Sequence, residues 1–331
     1  MPAFWTIPPT IATTVQAPEF WRDPPGFCAR LLSPLGLIYS SITDTRSARQ
    51  PAYKSSIPVI CIGNVVMGGA GKTPVVQSLA HSLKTRNPHI LTRGYGGSET
   101  GPLLVDPERH TAQDVGDEAL LHARTAPTWV SRDRIAGCKS AEAAGASLIL
   151  MDDGFQNSSL HKTLGLLVID SDYGFGNGLS FPAGPLRGDV QQALDRSDAV
   201  ILIGDTRMDL PGYTGPVCRA CITPASTATF RGLSLVAFSG IGRPEKFFRT
   251  LTEAGASIRA RRAFADHHPF TRAEIEDLIA LARAEKARLV TTEKDIVRVP
   301  PDLRPMVQVL TVRLLWENNG DILDMIAQTN V

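Results

Sequence analysis

The chain has 331 residues, enough for two domains of ordinary size, each with its own core. Hydrophobic residues make up 43% and charged residues 20%, which excludes an intrinsically disordered chain, and a formal net charge of +1 excludes a broad nucleic-acid surface. Its five cysteines (28, 61, 138, 218 and 221) are odd in number and scattered, which excludes a disulfide framework and suits a reducing compartment. Cys218 and Cys221 form a single CxxC with no second pair and no nearby histidine, a pattern of strand residues rather than of a metal or redox site.

The first 25 residues hold six prolines and no basic residue before Arg22, so they lack the n- and h-regions of a secretion signal and are expected to stay on the chain. The stretch GFCARLLSPLGLIYSSITDTR is apolar for about a dozen residues, short of the roughly 20 needed to span a bilayer. Leu31, Leu32, Leu35, Leu37 and Ile38 can still form one apolar helical face beside Phe20, Trp21 and Phe27. Such a face either lies in a membrane interface or packs on the protein's own core.

From Ile57 onward, short apolar runs alternate with helical stretches. IPVICIG, HILTRG, TWVS, SLILMDD, LGLLVID, DAVILIG and GPVCRAC read as strands, and TPVVQSLAHSLKT and AGCKSAEAAG as helices between them. Continuous hydrophobicity within the strands predicts a mostly parallel sheet covered on both faces. A second, smaller α/β series follows the Pro/Ser/Thr-rich TPASTAT: LSLVAFSG, RPEKFFRTLTEAG, ASIRARRAF, TRAEIEDLIALARAEK, ARLVTTEKD and MVQVLTV. The expected organisation is an N-terminal segment (1–50), a nucleotide-binding domain (51–225) and a smaller α/β domain (226–331).

The nucleotide assignment rests on VVMGGAGKTP, residues 65–74. It resembles the phosphate loop GxxxxGK[ST], except that Val66 stands where the first glycine belongs. Context supplies what the pattern lacks: a strand precedes it and a helix with Pro74 in its first turn follows. The backbone from Val66 through Met67, Gly68, Gly69, Ala70 and Gly71 can converge its N–H groups on an anion. Lys72 would reach the β- and γ-phosphates, and the Thr73 hydroxyl would ligate Mg²⁺. Asp152 and Asp153, at the carboxyl end of SLILMDD, are the expected acidic companions near that metal. Arg93 and Arg187, basic residues among turn glycines, are candidate ligands for donor or acceptor phosphate.

Two classes of function fit such a loop. A nucleotide switch, whether a GTPase or a metallochaperone-type NTPase, would carry a guanine-reading NKxD segment if it used GTP. The nearest string is TTEKD, in which Lys294 and Asp295 are adjacent. A kinase needs a group that orients an acceptor hydroxyl. Asp114, Asp117 and Glu118 in DVGDEALLHA, and Asp266, His267 and His268 in FADHHPF, are the candidates. The residues alone do not show that these two segments meet.

GNVVMGGAGKTP, TRGYGG, DVGDEALLHA, DDGFQN, GNGLSFPAGPLRG, FSGIGRPEKFF, ADHHPFT and TTEKD occur in the order found in tetraacyldisaccharide 4'-kinases, and from about residue 20 onward the chain resembles that family. The family itself has the shifted glycines. The resemblance implies transfer of the γ-phosphate of ATP to the 4'-hydroxyl of a tetraacylated glucosamine disaccharide 1-phosphate, the lipid A precursor. It implies a peripheral location at the cytoplasmic face of the inner membrane, contacted through the N-terminal helix. It pairs Asp117 with His267 as the base that activates the hydroxyl, and places Glu118, Asp152 and Asp153 around metal and nucleotide. Asp117 is expected to be made more basic by His267, in a cleft that closes between the two domains on binding. Two positions depart from the pattern: Asn157 stands where His is usual, and Gly188 where an acidic residue is common.

Overall fold

The structure, a computed structural model, describes residues 18–329; most of the proline-rich N-terminal stretch lies outside the described residues. Helix α1 (Phe27–Ser47) precedes a series comprising β1 (Val59–Gly63), α2 (Lys72–Ser82), β2 (Pro88–Thr92), β3 (Leu103–Leu104), α3 (Ala112–Val115), α4 (Asp117–Ala123), β4 (Thr128–Val130) and α5 (Arg134–Ala143). It continues through β5 (Leu148–Asp152), β6 (Leu164–Asp170), α6 (Val190–Asp195), β7 (Ala199–Ile203) and β8 (Val217–Pro224). A second series holds β9 (Ser234–Ser239), α7 (Pro244–Glu253), β10 (Ser257–Ala263), α8 (Arg272–Ala284), β11 (Arg288–Thr292), α9 (Glu293–Ile296) and β12 (Val307–Leu310). The described chain closes with β13 (Val312–Trp316) and α10 (Gly320–Gln328).

The large sheet has nine strands in the order β13-β8-β7-β6-β1-β5-β2-β4-β3, parallel except for its two antiparallel edges, β13 and β3. Every residue of β1, β2, β5, β6 and β7 is buried, the outcome expected of uninterrupted apolar runs. Alternation divides them: Ile60 and Ile62 pack with Val75, Val76 and Leu79 of α2, whereas Val59 and Cys61 pack with Cys138 and Ala141 of α5. Helix starts are marked locally, by Asp133 capping α5 and by a Thr271–Glu274 capping box on α8. Strand order reverses about β1, so its carboxyl end opens onto the crevice where ligands bind in such sheets. Cys218 is a buried core residue on β8 and Cys221 is half-buried; both are free thiols.

The smaller sheet, β10-β9-β11-β12, is parallel throughout. Two findings alter the expected division of the chain. The C-terminal segment does not stay in the smaller unit: after Thr311 the chain crosses over, β13 pairs with β8, and Leu314, Ile322 and Ile326 join the core around α2. The apolar runs of β12 and β13 are separated by one residue, so no turn signal separates them. The lobes also share a core, since Val115, Ala119, Leu120 and Leu121 pack with Phe238, Phe270 and Val297. They therefore meet through packed side chains as well as across a polar cleft.

Helix α1 buries its small residues Ala29 and Gly36, the latter against Ser180 and Ala183. Tyr39 meets the edge of Phe181 at 5.4 Å, and Trp21 donates to the Pro182 carbonyl at 3.1 Å. The opposite face is uncovered: Phe27, Leu31, Leu35, Ile38 and Ile42, spaced by four, four, three and four, form one exposed stripe, with Leu37 beside it. No described helix is long and apolar enough to cross a membrane.

Candidate active site

The phosphate loop joins β1 to α2, and its missing glycine has a structural explanation. Val66 is buried and bridges Leu186 of the PAGPLRG segment, with Met67 N donating to Pro185 O at 2.7 Å and Arg187 N donating to Val65 O at 2.8 Å. A buried residue bridged in this way needs no positive φ, so valine serves at this position. The freedom is needed later, at Gly68 (φ 99°) and Gly71 (φ 83°). A Cβ on Gly71 would also lie 2.6 Å from Ile203 Cδ1.

Lys72 opens α2, and its ammonium donates to Asn64 Oδ1 at 3.1 Å and lies 3.6 Å from Asp153 Oδ1. Asn64 is buried and also donates to the Val66 carbonyl, tying Lys72 to the loop's own backbone. Arg187 Nη1 stands 2.9 Å from both oxygens of Asp153. Burial alone would raise the Asp153 carboxyl, but Lys72 and Arg187 hold it far below the ordinary carboxylate range. A carboxyl whose pKa falls on folding stabilises the protein above its unfolded value, about 4, and that contribution disappears as pH falls through the folded value. Asp153→Asn is therefore expected to be less stable than the unmodified protein at pH 7 and to lose less stability on acidification below pH ~4. Urea unfolding at successive pH values checks this; parallel curves would contradict it.

Asp152 occupies a different place from its neighbour. Its Oδ2 lies 2.9 Å from Nε2 of His122 in the sheet interior, and both side chains are buried. Asp152 Oδ1 has no hydrogen-bond partner among the described residues. His122, one turn beyond Glu118 on α4, was not singled out by sequence reasoning. Only its spacing of four from Glu118 hinted at a shared face.

The lobes meet at the start of α4. Asp117 Oδ2 lies 3.0 Å from His267 Nδ1, although 150 residues separate them in the chain. The Glu118 amide donates to Asp117 Oδ1 at 2.8 Å, and Arg298 Nε stands 3.4 Å from Oδ2. Glu118 Oε1 accepts from Lys294 Nζ at 2.9 Å, and that ammonium is 3.5 Å from His267 Nε2. Burial would raise both carboxyls. Asp117 is nonetheless lowered by His267, Lys294 and Arg298, and Glu118 by Lys294 and Lys72. Lys72 of the phosphate loop thus contributes to holding Glu118 ionised. The expectation that His267 makes Asp117 more basic is corrected here, because the His267 hydrogen bond and the charges of Lys294 and Arg298 favour its ionised form.

Lys294 and Arg298 are the functional neighbours that sequence reasoning missed. TTEKD reads as a failed guanine reader and as a family motif without a role for its lysine, and its Asp295 is buried against Ser239, Gly240 and Arg298. Arg93, just past the end of β2, is exposed and hydrogen-bonds to no described residue. Tyr95, two residues on, sets its ring edge against His267 at 5.4 Å. Of the two departures, Asn157 accepts from Ser159 N and Oγ in a local turn. Gly188 faces α1, where a Cβ would lie 2.6 Å from Asp44 Oδ1, so glycine lets that carboxylate approach and accept from Asp189 N.

Comparison with known proteins now bears on this geometry. The profile of the family described as tetraacyldisaccharide-1-P 4'-kinase matches residues 28–330. A tetraacyldisaccharide 4'-kinase of Paramagnetospirillum magneticum is 51% identical over 310 residues, covering 92% of this chain and 95% of its own. That of Rhodospirillum rubrum is 49% identical over 314 residues, covering 92% and 94%. The solved structure of LpxK from Aquifex aeolicus, described as an "apo" form in complex with ATP, superposes with a TM-score of 0.75 at 24% identity, covering 91% of this chain and 99% of that one. At that identity the superposition shows a common fold.

Proposed function

The chain belongs to the tetraacyldisaccharide 4'-kinase family, and on that premise we propose that it transfers the γ-phosphate of ATP to the 4'-hydroxyl of a tetraacylated glucosamine disaccharide 1-phosphate in lipid A synthesis. The observation that carries the reading is the Asp117–His267 contact of 3.0 Å, made between lobes beside the phosphate loop. A switch needs no such couple, whereas an acceptor kinase does.

Phosphoryl transfer asks the protein for alignment and charge neutralisation more than for covalent chemistry. The loop amides and Lys72 bind the phosphates, and Asp153 keeps Lys72 and Arg187 aimed at them. Asp117, ionised and fixed by the Glu118 amide, accepts the sugar hydroxyl's proton as the oxygen attacks phosphorus. His267, on Oδ2 of the same carboxylate, orients it for that transfer. Lys294 holds Glu118 and stands beside the imidazole, joining the two lobes around the acceptor.

The donor set fits a magnesium ion carried by the nucleotide. Asp152 Oδ1 is buried and without a hydrogen-bond partner among the described residues, an oxygen free to ligate a hard cation. The Thr73 hydroxyl, Asp152 and Glu118 would hold such an ion, which supplies charge neutralisation across the β- and γ-phosphates. Asp153, engaged by Arg187 at both oxygens, acts as the cation anchor.

The exposed stripe of α1 suits a peripheral seat on the inner membrane's cytoplasmic face, where the lipid acceptor would reach the cleft. Replacing Leu31, Leu35 and Ile38 together by glutamine is expected to weaken flotation with phospholipid vesicles while leaving the thermal midpoint nearly unchanged, since none of the three is buried. Unchanged flotation would remove the membrane assignment. The kinase reading is tested by nucleotide consumption: ATP should be used only when the lipid disaccharide is present, and GTP far less. Acceptor-independent turnover of GTP would defeat it.

A further inference from the structure

The segment FSGIGRPEKFF takes no part in the chemistry above, yet it touches the phosphate loop. Arg243, the residue before α7, crosses from the small lobe and donates through Nη2 to the Gly69 carbonyl. Its Nη1 lies 3.0 Å from Asp170 Oδ2, and its guanidinium covers the Tyr173 ring at 4.9 Å. Asp170 is buried at the carboxyl end of β6, beside β1, and Lys246 Nζ approaches the same oxygen at 3.5 Å. The guanidinium is thus anchored on the sheet and reaches out to one peptide of the loop.

That peptide has little else to orient it. Gly68 and Gly69 are exposed and a Cβ built on either meets nothing within 4 Å, so on its glycine side, ahead of the buried Ala70, no packing holds the Gly69–Ala70 peptide. In a trans peptide the C=O and the following N–H point in opposite directions. A carbonyl turned outward to a cation therefore turns the Ala70 N–H the other way. We infer that Arg243 is a positioning residue for the nucleotide: it holds the Gly69 carbonyl away from the phosphates and leaves Ala70 N–H as a donor to them. The flipped peptide would face the phosphates with a carbonyl oxygen, which repels them. Only arginine can do both tasks, because separate nitrogens of one planar group serve Asp170 and Gly69, and Lys246 shows that Asp170 alone can be met by an ammonium.

The inference rests on the nucleotide-site reading, and the test separates the two. Binding of ATP, and of tripolyphosphate as the phosphate chain alone, is measured calorimetrically for the full chain and for Arg243→Lys and Arg243→Ala. Both variants are expected to bind both probes about tenfold more weakly, the scale of one oriented charge-assisted hydrogen bond, with thermal midpoints close to that of the unmodified protein. Should the alanine variant fail to fold, the lysine variant decides, since it keeps a cation beside Asp170. Unchanged affinity in a folded variant overturns the inference, as does a loss confined to ATP with tripolyphosphate unaffected. Failure of the unmodified chain to bind either probe overturns the nucleotide reading, and the inference with it.

Discussion

Replacing Lys72 by alanine is expected to slow phosphate transfer by on the order of 10²–10³-fold, the scale for removing one preorganised electrostatic stabiliser. The reason is local. Asn64 and Asp153 hold the ammonium at the first turn of α2, directly after Gly71, where loop amides and helix terminus converge on an anion. Removing it leaves Asp153 paired with Arg187, so the fold should survive. The single-turnover rate at saturating ATP reads the effect with binding removed from the comparison. A rate within a few-fold of the unmodified protein would mean that the loop does not carry the reacting phosphate.

Asp117→Asn is expected to reduce turnover by roughly 10²-fold or more, with little change in the KM for ATP. Asparagine keeps the shape, and its carbonyl can still accept the Glu118 amide, but the charge that takes the proton is gone. His267→Gln should act in the same direction and less strongly, and the double variant should be little worse than Asp117→Asn alone, because the two residues work as one unit. Steady-state rates of the three variants check this. Multiplicative losses in the double variant would show independent roles and break the couple.

Local chemistry was legible in the sequence; long-range contact was not. The phosphate loop could be read because strand, glycines, lysine and helix are consecutive, and its departure at Val66 proved to be a strand-like pairing with residues 185–187. Asp117 and His267 could be named as candidates, but nothing in composition or periodicity brings residues 150 positions apart to 3.0 Å. That pairing came from family resemblance. Lys294 was overlooked because TTEKD was weighed against a guanine motif, when its lysine serves Glu118 across the lobes. The return of β13 to the large sheet was hidden by apolar runs that lack a turn residue between them. Helix α1 could be recognised as amphipathic, yet only the packing of Ala29 and Gly36 shows which face is left outward.

The measurement that bears most directly on this account is the fate of the γ-phosphate. Purified protein given [γ-³²P]ATP and tetraacyldisaccharide 1-phosphate should move the label into the lipid as one new monoester, identified at the 4' position by phosphorus NMR of unlabelled product. Recovery of the label as inorganic phosphate, or at any other position of the acceptor, would contradict it.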